Sequence, residues 1–222
     1  MTAKARTMRL QVKICGINSK EALAAAVDGG ARYIGLVFYA PSPRFVTARE
    51  GASLAARIPA EVMKVGLFVD ADDTTIEETL KRCPLDMLQF HGAESPERVR
   101  EAKEGFGLPV MKAMKLAGAN DLAVARDYVE AADRLLFDAK PPADMKDALP
   151  GGNALALDWN LLKGTEWPCP WMLSGGLNAD NLAEAVETSG AEAVDVSSGV
   201  EDRPGHKDPA RIRAYLNTAA KL

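Results

Sequence analysis

The chain holds few of the residues that staple or metallate a protein: three cysteines and two histidines among 222 residues. Cys15, Cys83 and Cys169 are odd in number, far apart and never in a C-x-x-C pair. That pattern excludes a disulfide framework and suits a reducing compartment. Two histidines poorly supply a metal site that draws ligands from several elements, so no metal is expected. Long apolar runs are also missing. None approaches about 18 residues, and the opening "MTAKARTMRL" has basic residues but no apolar segment. Neither a membrane span nor a secretion signal is expected, and the chain reads as cytoplasmic. Nor is there an excess of positive charge: 27 Lys and Arg stand against 31 Asp and Glu, a net charge of -4. Such a balance offers no basic surface to nucleic acid, although it leaves room for a local anion site.

What is present is core. With 47% hydrophobic residues the chain can build one sizeable interior, and no linker or break in composition divides it. Residues 1–8 are set apart as an N-terminal extension and residues 9–222 as a single domain. Short β-rich runs, "LQVKIC", "ARYIGLVF", "VMKVGLFV", "DMLQF", "PVMKAMKL", "RLLFDA", "PWMLSG" and "EAVDVSS", alternate with polar, alanine-rich stretches that read as helices. Several of these open on Ser, Thr, Asp or Asn in capping position. Eight strands and eight helices, the sixth helix at "LDWNLLKG", make units of about 28 residues. The fold expected is α/β, a single (β/α)8 TIM barrel, ahead of an open doubly wound sheet, which rarely needs eight such even units.

In such a barrel, function gathers where each strand ends and its loop begins. The best physical signal lies after strands 7 and 8. Gly175 and Gly176 in "SGGLN" let the backbone approach an anion, and Ser198 and Gly199 in "SSGVE" do the same next door. These loops point to a small phosphorylated molecule as ligand. Asp138 closes the apolar run "RLLFD", either as an acid or as a structural carboxylate that caps a turn or pairs with Lys140. Arg44 in "SPRF" is either a solvated loop charge or a fork for a carboxylate. His91, before Gly92, is either a loop cap or part of the site. Asp70, followed by Asp72 and Asp73, reads as the start of a helix. The run "AKPPADMKDALPGGNALAL" after strand 6 is long enough to serve as a lid.

The motifs "KICGI", "GLVFYAPSPRFV", "VGLFVD", "QFHG", "LLFDAK", "LSGGLN" and "VDVSSGVEDRPGHKD", in this order over nearly the whole chain, resemble the phosphoribosylanthranilate isomerases of tryptophan biosynthesis. The resemblance implies an Amadori rearrangement of N-(5-phosphoribosyl)anthranilate that needs no cofactor. It assigns the general base to Cys15, the general acid to Asp138 and the anthranilate carboxylate to Arg44. His91 and Asp195 join the substrate-binding set. Where many members read G-G-(T/S)-G-x-x-F-D-W, this chain has "GGNALALDW", departing at Asn153, Ala154 and Leu157.

The chemistry agrees with two facing groups. Opening a furanosyl amine needs an acid at the ring oxygen, and forming the ketose needs a base at C2′. An aspartate serves as that acid at neutral pH only where its surroundings favour the neutral form, which implies partial burial. A thiol with an ordinary pKa of about 8.5 needs a cation to become a base. Lys13 lies two residues before Cys15, hence on the same strand face about 6.6 Å away, and is the candidate. Other phosphosugar isomerases and a non-catalytic phosphoribosyl-binding barrel are the alternatives, the latter with no need for Cys15 and Asp138 together. Monomer and homodimer are left open.

Overall fold

The computed structural model describes residues 9–141, 151, 152, 155 and 157–222. The expected N-terminal extension and the middle of the expected lid, with Asn153 and Ala154, lie outside the described residues. Eight parallel strands close into a barrel in sequence order: β1 (Gln11–Cys15), β2 (Tyr33–Val37), β3 (Met63–Phe68), β4 (Met87–Phe90), β5 (Val110–Leu116), β6 (Arg134–Ala139), β7 (Trp171–Leu173) and β8 (Ala193–Val196). β8 returns to β1 with Lys13 opposite Asp195, and closure leaves no strand edge unpaired.

Among the described residues seven α-helices cover the barrel: α1 (Lys20–Asp28), α2 (Ala48–Ala55), α3 (Asp73–Arg82), α4 (Pro96–Phe106), α5 (Ala119–Arg126), α6 (Leu182–Ser189) and α7 (Pro209–Ala219). Their starts follow local chemistry. The side chains of Ser19, Thr47, Asp72, Ser95 and Asp208 accept from first-turn amides, and Pro96 and Pro209 stand in the first turn, where no N–H is needed. The helix start near Asp70 is therefore capped by Asp72. Asp70 itself, at φ 49°, accepts from the Ala93 amide and ties the loop after β3 to the loop after β4.

The sixth expected helix does not form. "LDWNLLKG" makes only a 3-10 turn, Trp159–Leu161, capped by Asp158. Gly164 turns left-handed at φ 68°, and Pro168 and Pro170 bar any continuation. Aromatic side chains take the helix's place: Phe137 packs against Trp167 and Trp171 with ring centroids 4.7 and 5.6 Å apart. Leu157, one of the departures from the family pattern, is buried in this core. A short antiparallel hairpin, β9 (Glu201–Arg203) and β10 (His206–Lys207), follows β8 and was not expected from the sequence.

Strand alternation sorts the core into two parts. Val12, Ile14, Ile34, Leu88 and Leu135 point out toward the helices, whereas Tyr33, Val65, Met87, Met111, Leu136 and Met172 fill the barrel. One buried ion pair lies between the barrel and its helices. Lys112 Nζ donates to Glu94 Oε2 at 2.8 Å and to the Gly92 carbonyl at 2.7 Å. Glu94 in turn accepts from the amides of Asp70 and Gly92, so one carboxylate holds two loops at the barrel mouth. Replacing Lys112 by Met leaves that carboxylate buried without its cation, and the expected loss is about 3 to 5 kcal/mol in urea unfolding. A loss below about 1 kcal/mol, the size of an exposed pair, would show that the pair does not secure the loops.

Candidate active site

A cleft of about 740 Å³ opens at the C-terminal mouth of the barrel, lined by Cys15, Arg44, His91, Asp138, Gly175, Gly176, Asp195 and Ser198, which come from six of the eight strand ends. Gly199 is the exception among the expected site residues. It lies in the 3-10 turn Ser198–Val200, where its backbone packs so closely on the Leu177 carbonyl that a side chain has no room. Its role is to seat the loop after β8 on the loop after β7, outside the cleft lining. Gly175 and Gly176 do turn left-handed, at φ 89° and 66°. Asn181, which the sequence reading missed, donates to the Gly176 carbonyl at 3.0 Å and fixes that turn.

Cys15 ends β1, buried and pointing inward. Its register partner on β2 is Gly35, and a Cβ there would stand 2.9 Å from Sγ and 3.2 Å from Lys13 Nζ. Gly35 thus makes the space that thiol and ammonium share. Lys13 is fully buried and donates to Asp195 Oδ1 at 2.8 Å, while Ser174 Oγ donates to Asp195 Oδ2 at 3.3 Å. Burial works against the Lys13 ammonium, but Asp195 and Cys15 outweigh it and its pKa lies above the ordinary lysine value. For Cys15 the balance is reversed: burial pushes the thiol up, Asp195 adds to this, and Lys13 pulls down without prevailing. The expectation that Lys13 frees a thiolate therefore holds in direction only. Asp195 also answers the lysine's charge, and the Cys15 thiol stays above its ordinary value.

Asp138 ends β6, three strands from β1 round the barrel, and is also buried. Its expected alternative partner Lys140 pairs with Asp121 at 2.9 Å instead. Oδ1 accepts from the Ala139 amide, and Oδ2 stands 3.3 Å from His91 Nε2. His91 Nδ1 meets Gln89 Nε2 at 3.2 Å. His91 Nε2 is close to Asp138 but off the line of a hydrogen bond, and among the described residues it has no other partner. Gly151 covers the pair, its backbone so near that a Cβ would stand 2.6 Å from His91 Cε1 and 3.0 Å from Asp138 Oδ2.

Arg44 is buried, which excludes the solvated loop charge. Its fork already holds a carboxylate. Nε donates to Glu201 Oε1 at 2.7 Å, Nη2 to Glu201 Oε2 at 2.9 Å, and Nη2 also reaches the Gly152 carbonyl at 3.2 Å. Lys207, buried behind, pairs with the same Glu201 and donates to Ser197 Oγ at 3.2 Å. Neither Glu201 nor Lys207 was singled out from sequence, although both lie in the quoted motif "VDVSSGVEDRPGHKD". Among the described residues no group of three or more His, Cys, Asp or Glu side chains could hold a metal ion.

A closed parallel barrel whose buried polar side chains converge on one mouth has the layout of a (β/α)8 enzyme. Residues 12–218 match the family described as N-(5'phosphoribosyl)anthranilate (PRA) isomerase. The chain belongs to this family. A relative from Rhodospirillum centenum, an N-(5'-phosphoribosyl)anthranilate isomerase, is 60% identical over 97% of this chain and 100% of its own length. Among solved structures, the phosphoribosyl anthranilate isomerase of Thermotoga maritima is 32% identical with a TM-score of 0.84, covering 96% of this chain and 100% of its own. Another such isomerase, in complex with reduced 1-(o-carboxyphenylamino)-1-deoxyribulose 5-phosphate, is 30% identical over the same shares of the two chains, with a TM-score of 0.80.

The ionisation of Cys15 can be read directly, as thiolate ultraviolet absorbance of the protein minus that of its Cys15→Ser variant. Cys15 is expected to titrate above its ordinary value, Asp195→Asn to bring the titration down and Lys13→Met to drive it further up. A titration that ignores Lys13→Met would reduce Lys13 to a structural partner of Asp195.

Proposed function

We propose that this chain catalyses the Amadori rearrangement of N-(5-phosphoribosyl)anthranilate to 1-(2-carboxyphenylamino)-1-deoxyribulose 5-phosphate, a step of tryptophan biosynthesis, with Cys15 as base and Asp138 as acid. The observation that carries the assignment is the placement of these two buried groups on one cleft, three strands apart, so that a substrate between them meets one on each side.

Asp138 gives a proton to the ring oxygen as the C1′–O bond breaks and the nitrogen lone pair forms the iminium. The thiolate of Cys15 then takes the proton from C2′, and the electrons of that C–H bond make the enolamine, which tautomerises to the ketose. Burial holds the Cys15 thiol above its ordinary value, so Cys15 gives its proton to solvent in the cleft before it takes the one on C2′, and Lys13, beside it over Gly35, is the cation that then faces the thiolate. The Ala139 amide, donating to Oδ1, holds the acid's orientation, and His91 packs beside Oδ2. The glycine turn at Gly175 and Gly176, with Ser198 opposite, receives the phosphate, which leaves the anthranilate toward Arg44. Glu201 fills the arginine's fork from outside the cleft lining, and Arg44 is one of the residues that line it.

The assay is the loss of substrate fluorescence on adding protein. Cys15→Ser and Asp138→Asn are each expected to lower kcat by several orders of magnitude with product binding little changed. A variant that retained more than about a tenth of the wild-type kcat, a loss under about 1.4 kcal/mol, would remove that residue from its role. Arg44→Ala is expected to weaken binding by roughly 1.5 to 3 kcal/mol, mainly in KM, while inorganic phosphate inhibits it as it does wild type. An Arg44→Ala enzyme with unchanged KM would place the carboxylate elsewhere.

A further inference from the structure

Arg44 meets Glu201 in the two-bond geometry with which guanidinium holds a carboxylate, yet Glu201 does not line the cleft. The carboxylate is gripped from its far side as well. Lys207 pairs with Oε1, and the Gly205 amide donates to Oε2 at 3.3 Å. The β9–β10 hairpin that carries these groups is itself anchored: Asn18 Nδ2 donates to the Gly205 carbonyl at 2.8 Å, Arg211 donates to the Glu201 carbonyl, and Gly205 lies against the Pro43 carbonyl with no room for a Cβ. Pro43 is the residue before Arg44. The hairpin therefore backs both the main chain and the side chain of the arginine. Burial opposes the charges of this cluster, but Arg44 and Lys207 keep the Glu201 carboxyl below its usual range. Lys207, stripped of water and repelled by Arg44, falls to about 8.

A carboxylate held by two cations and an amide is not free to swing away when a ligand arrives. We infer that Glu201, backed by Lys207, is a positioning residue that locks the Arg44 guanidinium so that its remaining N–H edge meets the substrate's carboxylate. The inference rests on the reading of Arg44 given above. Its effect is expected on the benzoate half, since the Glu201 side chain makes its hydrogen bonds with Arg44, Lys207 and Gly205, while the loop at Ser198 is held by the Glu201 main-chain amide and by Lys207 at Ser197. Charge alone makes the opposite forecast. Arg44, Glu201 and Lys207 together carry one net positive charge, and neutralising Glu201 raises this to two, which would draw an anionic ligand in more tightly.

The test compares two ligands, reduced 1-(2-carboxyphenylamino)-1-deoxyribulose 5-phosphate and the same compound without its carboxyl, by calorimetry on the full chain. Wild type should prefer the carboxylated ligand, Arg44→Ala should lose that preference, and Glu201→Gln should reduce it by about tenfold, the scale of one charge-assisted hydrogen bond misdirected. The double variant Glu201→Gln/Lys207→Met removes the unpaired buried ammonium, so it guards against a fold that fails in the single variant, and it restores one net positive charge. It too should show the reduced preference. A preference that rises in Glu201→Gln, or returns to wild type in the double variant, would make Glu201 a charge-balancing group and overturn the inference. Equal weakening of both ligands would make it structural and overturn it as well. If Arg44→Ala keeps the preference, the reading of Arg44 fails first, and the role of Glu201 goes with it.

Discussion

The ion pair between Lys13 and Asp195 lies across the seam where β8 closes on β1, and the arrangement of the mouth depends on it. The two residues are register partners, so the pair can form only if the barrel closes with this stagger. Two residues further along each strand stand Cys15 and Ser197, and Ser197 Oγ donates to the Cys15 carbonyl at 3.2 Å. A buried lysine without its carboxylate is strongly unfavourable, of the order of 3 to 5 kcal/mol, so the pair selects one closure among those that apolar packing would tolerate. The same carboxylate that secures the seam also moderates how much of the lysine's charge reaches the thiol.

Buried charges hold two pairs of loops together at the mouth. Lys112 and Glu94 fix the loops after β3 and β4, which carry His91 toward Asp138. Arg44, Glu201 and Lys207 join the loop after β2 to the hairpin after β8. Each cluster combines an ion pair with backbone hydrogen bonds, which is the condition for a buried charge to be tolerated. These clusters tie the loops after β2, β3, β4 and β8 in place, and proton transfer requires groups held in fixed positions.

Much of this was legible in the chain. The alternation of β-rich and helical runs announced the barrel because each unit repeats the same physical problem, a strand buried on both sides and a helix buried on one. Strand ends located Cys15, Asp138, Gly175 and Ser198, since polar or glycine residues interrupt apolar runs there. The reading failed where local signals conflicted with packing. "LDWNLLKG" has helical composition, but three tryptophans nearby cover the barrel without a helix. "VEDRPGHKD" reads as a polar loop, and its charged residues gave no sign that two of them would be buried.

The sequence by itself determined the order of elements, the caps of most helices and the set of residues delivered to the mouth, because these follow from neighbours within a few positions. Only the tertiary structure decided which of those residues would touch. Arg44 finds Glu201 across 157 positions and Lys13 finds Asp195 across 182. Gly35 was an unremarked glycine within a strand until β1 lay beside it and needed its missing side chain. The physical reason is closure: a barrel brings its first and last strands together, and ionisation, fork geometry and steric room are properties of pairs that exist only once it has closed.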